Sequence, residues 1–140
     1  MDKAVISGYS GTPLAKKLGI KEGFAVLTVN APDDYADILG LLPPRVTISS
    51  NERSVVDLLH LFTNSRDELF SKLTKLRSAI KQDGLIWVSW YKKAAKLPTE
   101  MTEDTIREAA FPLGLVDIKV CAVDEKWSGL KLVIRKENRI

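Results

Sequence analysis

The strongest constraint on the fold is a helical pattern that lies between two short, strongly apolar segments. Residues 55–62 and 85–91 are too short for buried helices and are rich in β-branched and aromatic side chains, which favours strands. Residues 65–83 begin with a Ser-x-x-Glu capping pattern, carry an apolar stripe at helical spacing and precede Gly84 as a left-handed stop. The stripe consists of Leu69, Leu73, Leu76 and Ile80. A buried strand, a helix and a second buried strand predict a right-handed parallel crossover.

The same alternation extends to both sides of this crossover. Further strands are predicted at residues 24–29, 45–49, 116–123 and 130–135, and further helices at residues 13–18, 33–42 and 102–114. The last two strands have no helix between them, which is typical of an antiparallel hairpin. The pattern therefore predicts an α/β fold, a small doubly wound, Rossmann-like sheet in three layers. We expect about six strands, mostly parallel, with one antiparallel strand contributed by the C-terminal hairpin.

Length and composition are those of one globular domain. We assign all 140 residues to it, with residues 1–22 as an N-terminal arm and short helix. Hydrophobic residues make up 45% and charged residues 28%, which excludes disordered and fibrous classes. The single cysteine, Cys121, excludes an intramolecular disulfide. No apolar run approaches the ~18 residues of a membrane span, and the N-terminus has no signal-peptide core. We therefore expect a cytoplasmic protein without membrane contact.

The second half of the chain shows a recognisable succession of elements. An acidic-then-apolar strand at residues 57–62, a helix closing on Gly84, a strand at 85–90 and the final hairpin follow one another. In this order they resemble the C-terminal half of S-adenosylmethionine-dependent methyltransferases. The resemblance implies a glycine-rich loop after the first strand, where backbone approaches the cofactor closely. Residues 28–34 contain no glycine, and Pro32 lacks an amide donor. S-adenosylmethionine is therefore disfavoured as a cofactor.

A second resemblance covers nearly the whole chain. The segments behind it are residues 8–14, 17–21, 30–32, 87–90, 114–124 and 127–131. With them the sequence is similar to a family of short bacterial proteins that carry a domain of unknown function. That resemblance implies a Rossmann-like fold, and it supplies no reaction, substrate or catalytic residue.

A ligand site in an open α/β sheet lies beyond the carboxyl ends of the strands, where the strand order reverses. The first and third predicted strands should be neighbours at that reversal, which places a crevice between residues 30–32 and residues 90–93. The candidate ligand-binding residues are Asn30, Asn64, Trp90, Tyr91, Lys92 and Lys93. Their amides, rings and amines suit a nucleotide or a small anion. In the competing interpretation, Pro32 and the aromatic side chains fill the crevice and the domain is purely structural.

Residues with chemical potential outside this crevice are expected to be structural. His60 lies in the middle of a strand between leucines, which favours a core position over a general base. Cys121 has no nearby histidine in sequence and is interpreted as a small buried hydrophobe. We predict no catalytic residue and no metal site, because no paired-acid or metal-ligand spacing stands out.

Three functions remain open at this point. The leading hypothesis is a non-catalytic or cryptic module that binds a small ligand or a protein, because the catalytic parts are missing. The alternative is a diverged S-adenosylmethionine-dependent methyltransferase. A second alternative is nucleic-acid binding through residues 72–96, which contain seven basic residues and one acidic residue. It is disfavoured because Trp87 and Trp90, three residues apart on a strand, point to opposite faces and cannot form one stacking platform.

Overall fold

The computed structural model describes residues 12–51 and 55–140. Its elements, in chain order, are α1 (Leu14–Leu18), β1 (Ala25–Val29), α2 (Tyr35–Leu39), β2 (Thr47–Ser49), β3 (Val56–Phe62), α3 (Arg66–Leu76), β4 (Ile80–Tyr91), α4 (Glu103–Ala110), β5 (Leu115–Ala122) and β6 (Trp127–Ile134). The part of the predicted N-terminal arm that precedes Thr12 lies outside the described residues. Every strand and helix predicted within the described ranges is present, although most are shorter than their sequence patterns.

The described strands form one six-stranded sheet in the order β2-β1-β3-β4-β6-β5. All neighbours are parallel except β6, which runs antiparallel to both β4 and β5. The chain moves to one side of β1 through α2 and to the other side of β3 through α3. The strand order therefore reverses between β1 and β3, as predicted, and the α/β, Rossmann-like fold class is confirmed.

Helices cover both faces of the sheet and enclose two apolar cores. Leucines of α1 and α2 pack on one face together with Leu58 and Trp87. The apolar stripes of α3 and α4 pack on the other face together with Leu59 and Trp90. Because successive side chains of a strand alternate between faces, the two tryptophans separate as expected.

The predicted helix over residues 65–83 is too long. It ends at Leu76, a 3₁₀ turn follows over Arg77–Ala79, and Ile80 begins β4 by pairing with Val56 of β3. Ile80 is buried as the stripe predicted, but as a strand residue. Burial alone does not distinguish the last turn of a helix from the first residue of a strand.

Gly84 does not end a helix, which corrects a second expectation. It lies inside β4, and a side chain there would meet the backbone oxygen of Lys81 at 2.9 Å. Glycine is required at this position for close packing of the backbone, because the strand folds tightly against its own preceding residues.

The predicted helix from Thr102 is confirmed at both ends. The Thr102 hydroxyl accepts a hydrogen bond from the amide of Thr105, whose own hydroxyl accepts one from the Thr102 amide. A 3₁₀ turn follows the helix, and Gly114 at φ +76° ends it in the left-handed region that glycine favours. Among the described residues, no helix is long and apolar enough to cross a bilayer.

Core packing makes a stability prediction for two leucines. Leu73 of α3 is fully buried, whereas Leu41 is 87% exposed. We expect Leu73→Ala to lower the free energy of unfolding by about 3 kcal/mol, because it removes buried methyl groups and leaves a cavity. The matched variant Leu41→Ala should stay within about 0.5 kcal/mol of the wild type. Urea unfolding measures both, and equal losses would contradict this assignment of the core.

Candidate functional site

The carboxyl ends of β1 and β3 lie side by side, and polar residues follow both strands. Asn30 comes directly after β1, and Thr63 and Asn64 come directly after β3. In open α/β sheets this reversal of strand order is where ligands bind. These residues therefore mark the edge at which a functional site is expected.

The Asn30 side chain spans the crevice between the two strands. Its backbone is left-handed at φ +60°, which asparagine tolerates better than most residues. Its amide nitrogen donates to the carbonyl of Phe62 and to the Glu68 carboxylate, both at 3.2 Å. Asn30 thus links the end of β1 to the end of β3 and to the first turn of α3.

Glu68 also lies at this edge of the sheet, a position that the sequence analysis did not predict. Its carboxylate also accepts a hydrogen bond of 2.6 Å from the Thr63 hydroxyl. The Ser-x-x-Glu pattern correctly predicts that the Ser65 hydroxyl accepts from the Glu68 amide. In the reciprocal half, however, the Ser65 amide donates to Thr63 and not to Glu68. The capping pattern predicts that the Glu68 side chain binds the amide of Ser65. Its carboxylate instead accepts hydrogen bonds from Asn30 and Thr63 at the crevice.

Asn64 is held by the backbone of two neighbouring segments. Its side-chain oxygen accepts from the Tyr91 amide at 2.8 Å, and its carbonyl accepts from the Glu100 amide at 2.9 Å. These bonds bring the loop before α4 against the end of β3, which no local sequence pattern indicates. An open concavity of about 280 Å³ lies there, lined by Asn64, Ser65, Pro98, Thr99 and Glu100.

The other sequence-predicted site residues occupy different environments. Trp90 is buried in the core on the α3 and α4 face. The Tyr91 ring packs on Trp127, with centroids 4.5 Å apart. The Lys92 amide donates to the carbonyl of Lys126, and Lys93 is exposed in the following 3₁₀ turn. Asn64 is the one member of the predicted set that lines the concavity, and the ligand-binding role of the set stays a prediction.

The basic segment at residues 72–96 does not form one surface. It runs through the second half of α3, then along β4 from Ile80 to Tyr91. Lys81 lies at the start of β4 and Lys92 lies beyond its end, so the two lysines are at opposite ends of the strand. Lys81 is also engaged, since its amine lies 2.9 Å from the Asp57 carboxylate, which raises the pKa of the lysine.

His60 lies beneath this edge in a buried polar chain. Its Nδ1 is 2.9 Å from the Tyr35 hydroxyl, and its Nε2 is 2.8 Å from the Ser89 hydroxyl. All three side chains are buried, and burial lowers the pKa of His60 to about 3 and raises that of Tyr35. A fully buried, neutral imidazole cannot reach a substrate, so the expected core position of His60 is confirmed.

Cys121 is only half-buried, whereas the sequence predicts a small buried hydrophobe. It packs at the margin of the core on the α1 face. Burial raises the pKa of its thiol, against the opposing effect of nearby lysines. Within the described residues, no group of three or more His, Cys, Asp or Glu side chains could hold a metal ion.

The residues after β1 do not fit S-adenosylmethionine in the manner that the resemblance implies. In the binding mode that the resemblance implies, glycine is needed where the backbone approaches the cofactor closely. Here the exposed Asn30 side chain bridges the ends of the two strands, and Pro32 offers no amide. The first turn of α3 supplies a carboxylate, Glu68, to the same place.

The fold and topology define a methyltransferase-like α/β domain. The chain belongs to the family described as "Protein of unknown function (DUF3052)", whose model matches residues 15–136. No curated protein is similar enough in sequence to count as a relative.

Several solved structures with a similar fold are named as methyltransferases, at low sequence identity. A putative type 11 methyltransferase from Sulfolobus solfataricus has a TM-score of 0.61 at 16% identity, over 89% of this chain and 91% of its own. An S-adenosylmethionine-dependent methyltransferase from Aquifex aeolicus has a TM-score of 0.58 at 16% identity, over 86% and 87%. Fibrillarin from Aeropyrum pernix, solved with bound S-adenosylmethionine, has a TM-score of 0.56 at 16% identity, over 83% and 69%. At these identities the likeness establishes the fold.

The buried His60 makes stability depend on pH in a defined window. Its folded pKa of about 3 lies below the ordinary value of 6.5, so the unfolded chain binds the proton more readily. The contribution of neutral His60 is present above pH 6.5 and is lost as the pH falls toward 3. We expect a loss of up to about 1.4 kcal/mol per pH unit that is absent from His60→Gln. Urea unfolding at pH 7, 6, 5 and 4 measures it, and parallel curves for the two proteins would refute it.

Proposed function

We propose that this domain is a ligand-binding module that keeps the methyltransferase-like sheet as a scaffold and does not carry out methyl transfer. The observation that supports this most directly is the position of Asn30. Its amide joins Phe62 and Glu68 across the reversal of strand order, where a cofactor would otherwise approach the backbone. A shared fold does not decide between an enzyme and a binding module, so the proposal depends on this edge.

The ligand site in this proposal is the open concavity beside the crevice that Asn30 bridges. Asn64 and the loop at residues 98–100 line it, together with Ser65 at the start of α3. Their hydroxyl, amide and carboxylate groups suit a small polar molecule that is neutral or cationic. An anionic ligand is disfavoured there, because the negatively charged Glu100 lines the concavity and its carboxylate is held in place by the Arg66 amide at 2.8 Å.

The diverged methyltransferase is the second candidate, and the solved structures favour it. All three that are described above are named as methyltransferases or bind S-adenosylmethionine. The two candidates differ in cofactor binding, which can be measured directly.

Cofactor titration separates the two candidates. We expect no saturable heat when S-adenosylmethionine or its demethylated product is titrated to about 1 mM, because Asn30 and Pro32 exclude the close backbone approach. Asn30→Gly serves as a comparison, since glycine adopts φ +60° without strain and removes the bridging amide. Calorimetry of both proteins checks this. A dissociation constant well below 1 mM for the wild type, or methyl transfer, would overturn the leading proposal.

The concavity is tested with a matched pair of proteins. A thermal-shift screen of small polar metabolites should yield compounds that raise the Tm of the wild type. For a cationic compound, Glu100→Gln should weaken binding about tenfold, because it removes the charge but keeps an oxygen that can accept the Arg66 amide. The Tm of the free protein should change little. Equal binding by wild type and variant would place such a ligand elsewhere.

A further inference from the structure

A second cluster of charged groups lies on the α1 face of the sheet, away from the concavity. Lys119 of β5 is directly opposite Lys131 of β6 in the antiparallel pairing. Like charges in this relation destabilise a sheet, since their Cβ atoms are only about 5 Å apart. The stability of the sheet therefore does not explain why two lysines lie opposite each other here.

The end of α1 brings further positive charge to the same place. The Lys131 amine lies 3.8 Å from the point that a Cβ on Gly19 would occupy, so it contacts the turn that closes α1. Lys21 follows this turn, and both Lys21 and Lys119 act on Lys131 by charge repulsion, which together with burial lowers its pKa.

Cys121 lies within this lysine cluster, which we define as Lys21, Lys119 and Lys131. It shares the sheet face with Lys119, two residues before it, and packs on the core beneath α1. Burial raises the pKa of its thiol, and the charges of Lys17, Lys119 and Lys131 oppose that rise, so these amines lie near the thiol. No carboxylate of the described residues is among the groups that act on Cys121 or Lys131.

Complementing the C-terminus of α1 does not account for the cluster. A helix of five residues has a weak dipole, and a single amine would satisfy it. Neither Lys119 nor Lys131 is a partner in the salt bridges of the described residues. The cluster thus holds converging positive charge that the described chain does not neutralise.

We propose that Lys21, Lys119 and Lys131 form a binding site for a compact multivalent oxyanion of the diphosphate type, free or as part of a small molecule. Such a group accepts several charge-assisted hydrogen bonds from amines that converge. A small anion fits better than a nucleic acid, because a phosphate backbone requires a row of cations along a groove. The site is independent of the concavity and of its proposed ligand.

Cys121 provides a built-in probe, since it is the single cysteine of the chain. The uncharged reagent iodoacetamide reports the thiolate fraction and exposure of Cys121. In the wild type, inorganic pyrophosphate should slow alkylation, because the bound anion cancels the lysine charges that favour the thiolate. Sodium chloride at matched ionic strength should slow it less. The Tm should rise with pyrophosphate as a second readout.

Two double variants test whether the lysine cluster is responsible for the effects of pyrophosphate. Lys119→Gln/Lys131→Gln should have a higher Tm without ligand, because it removes the like-charge pair, and should lose at least about tenfold in pyrophosphate affinity. Lys72→Gln/Lys136→Gln removes the same charge elsewhere and should bind as the wild type does. A nucleoside diphosphate and a single-stranded oligonucleotide are titrated in parallel. Equal pyrophosphate effects in the wild type and the cluster variant overturn the proposal, as does binding of the oligonucleotide alone.

Discussion

The structure depends on the burial of β3 between β1 and β4. Six of its seven residues are buried, and its side chains alternate between the two cores, as Leu58 and Leu59 do. Parallel pairing on both sides provides hydrogen-bond partners for its backbone, so the backbone of the strand does not need water. β3 therefore has a strand on each side and helices on each face. The remaining strands add outward from it and form the two edges of the sheet.

Polar side chains fasten the two ends of this central strand. At the amino end, the Asp57 carboxylate accepts from the Ala25 amide at 2.8 Å and pairs with Lys81, which joins β1, β3 and β4. At the carboxyl end, Asn30 and Glu68 join β1, β3 and α3. The edge at which related folds open toward a ligand is therefore the edge at which this chain places its own hydrogen bonds. Because a shared fold does not imply a shared activity, this difference at the site is the reason to propose a different function for this domain.

The residues that sequence reasoning placed well are those whose behaviour depends on near neighbours. Thr102 caps the start of α4, Gly114 ends the 3₁₀ turn that follows it, and Trp87 and Trp90 separate because side chains alternate along a strand. The errors arose where a local pattern has two solutions. Ile80 completes a helical stripe and also begins a strand, and Glu68 fits a capping box but binds Thr63 and Asn30 instead.

The sequence by itself determined the α/β class, the strand that must be buried and the reversal between β1 and β3, because apolar periodicity and short connections restrict how such a chain can pack. Only the tertiary structure decided what surrounds each polar group. Glu100 reaches Arg66, and Lys131 faces Lys119, through contacts between segments far apart in the chain. Such contacts depend on register and on strand order together. One residue of shift in β5 would send the Lys119 side chain to the opposite face of the sheet.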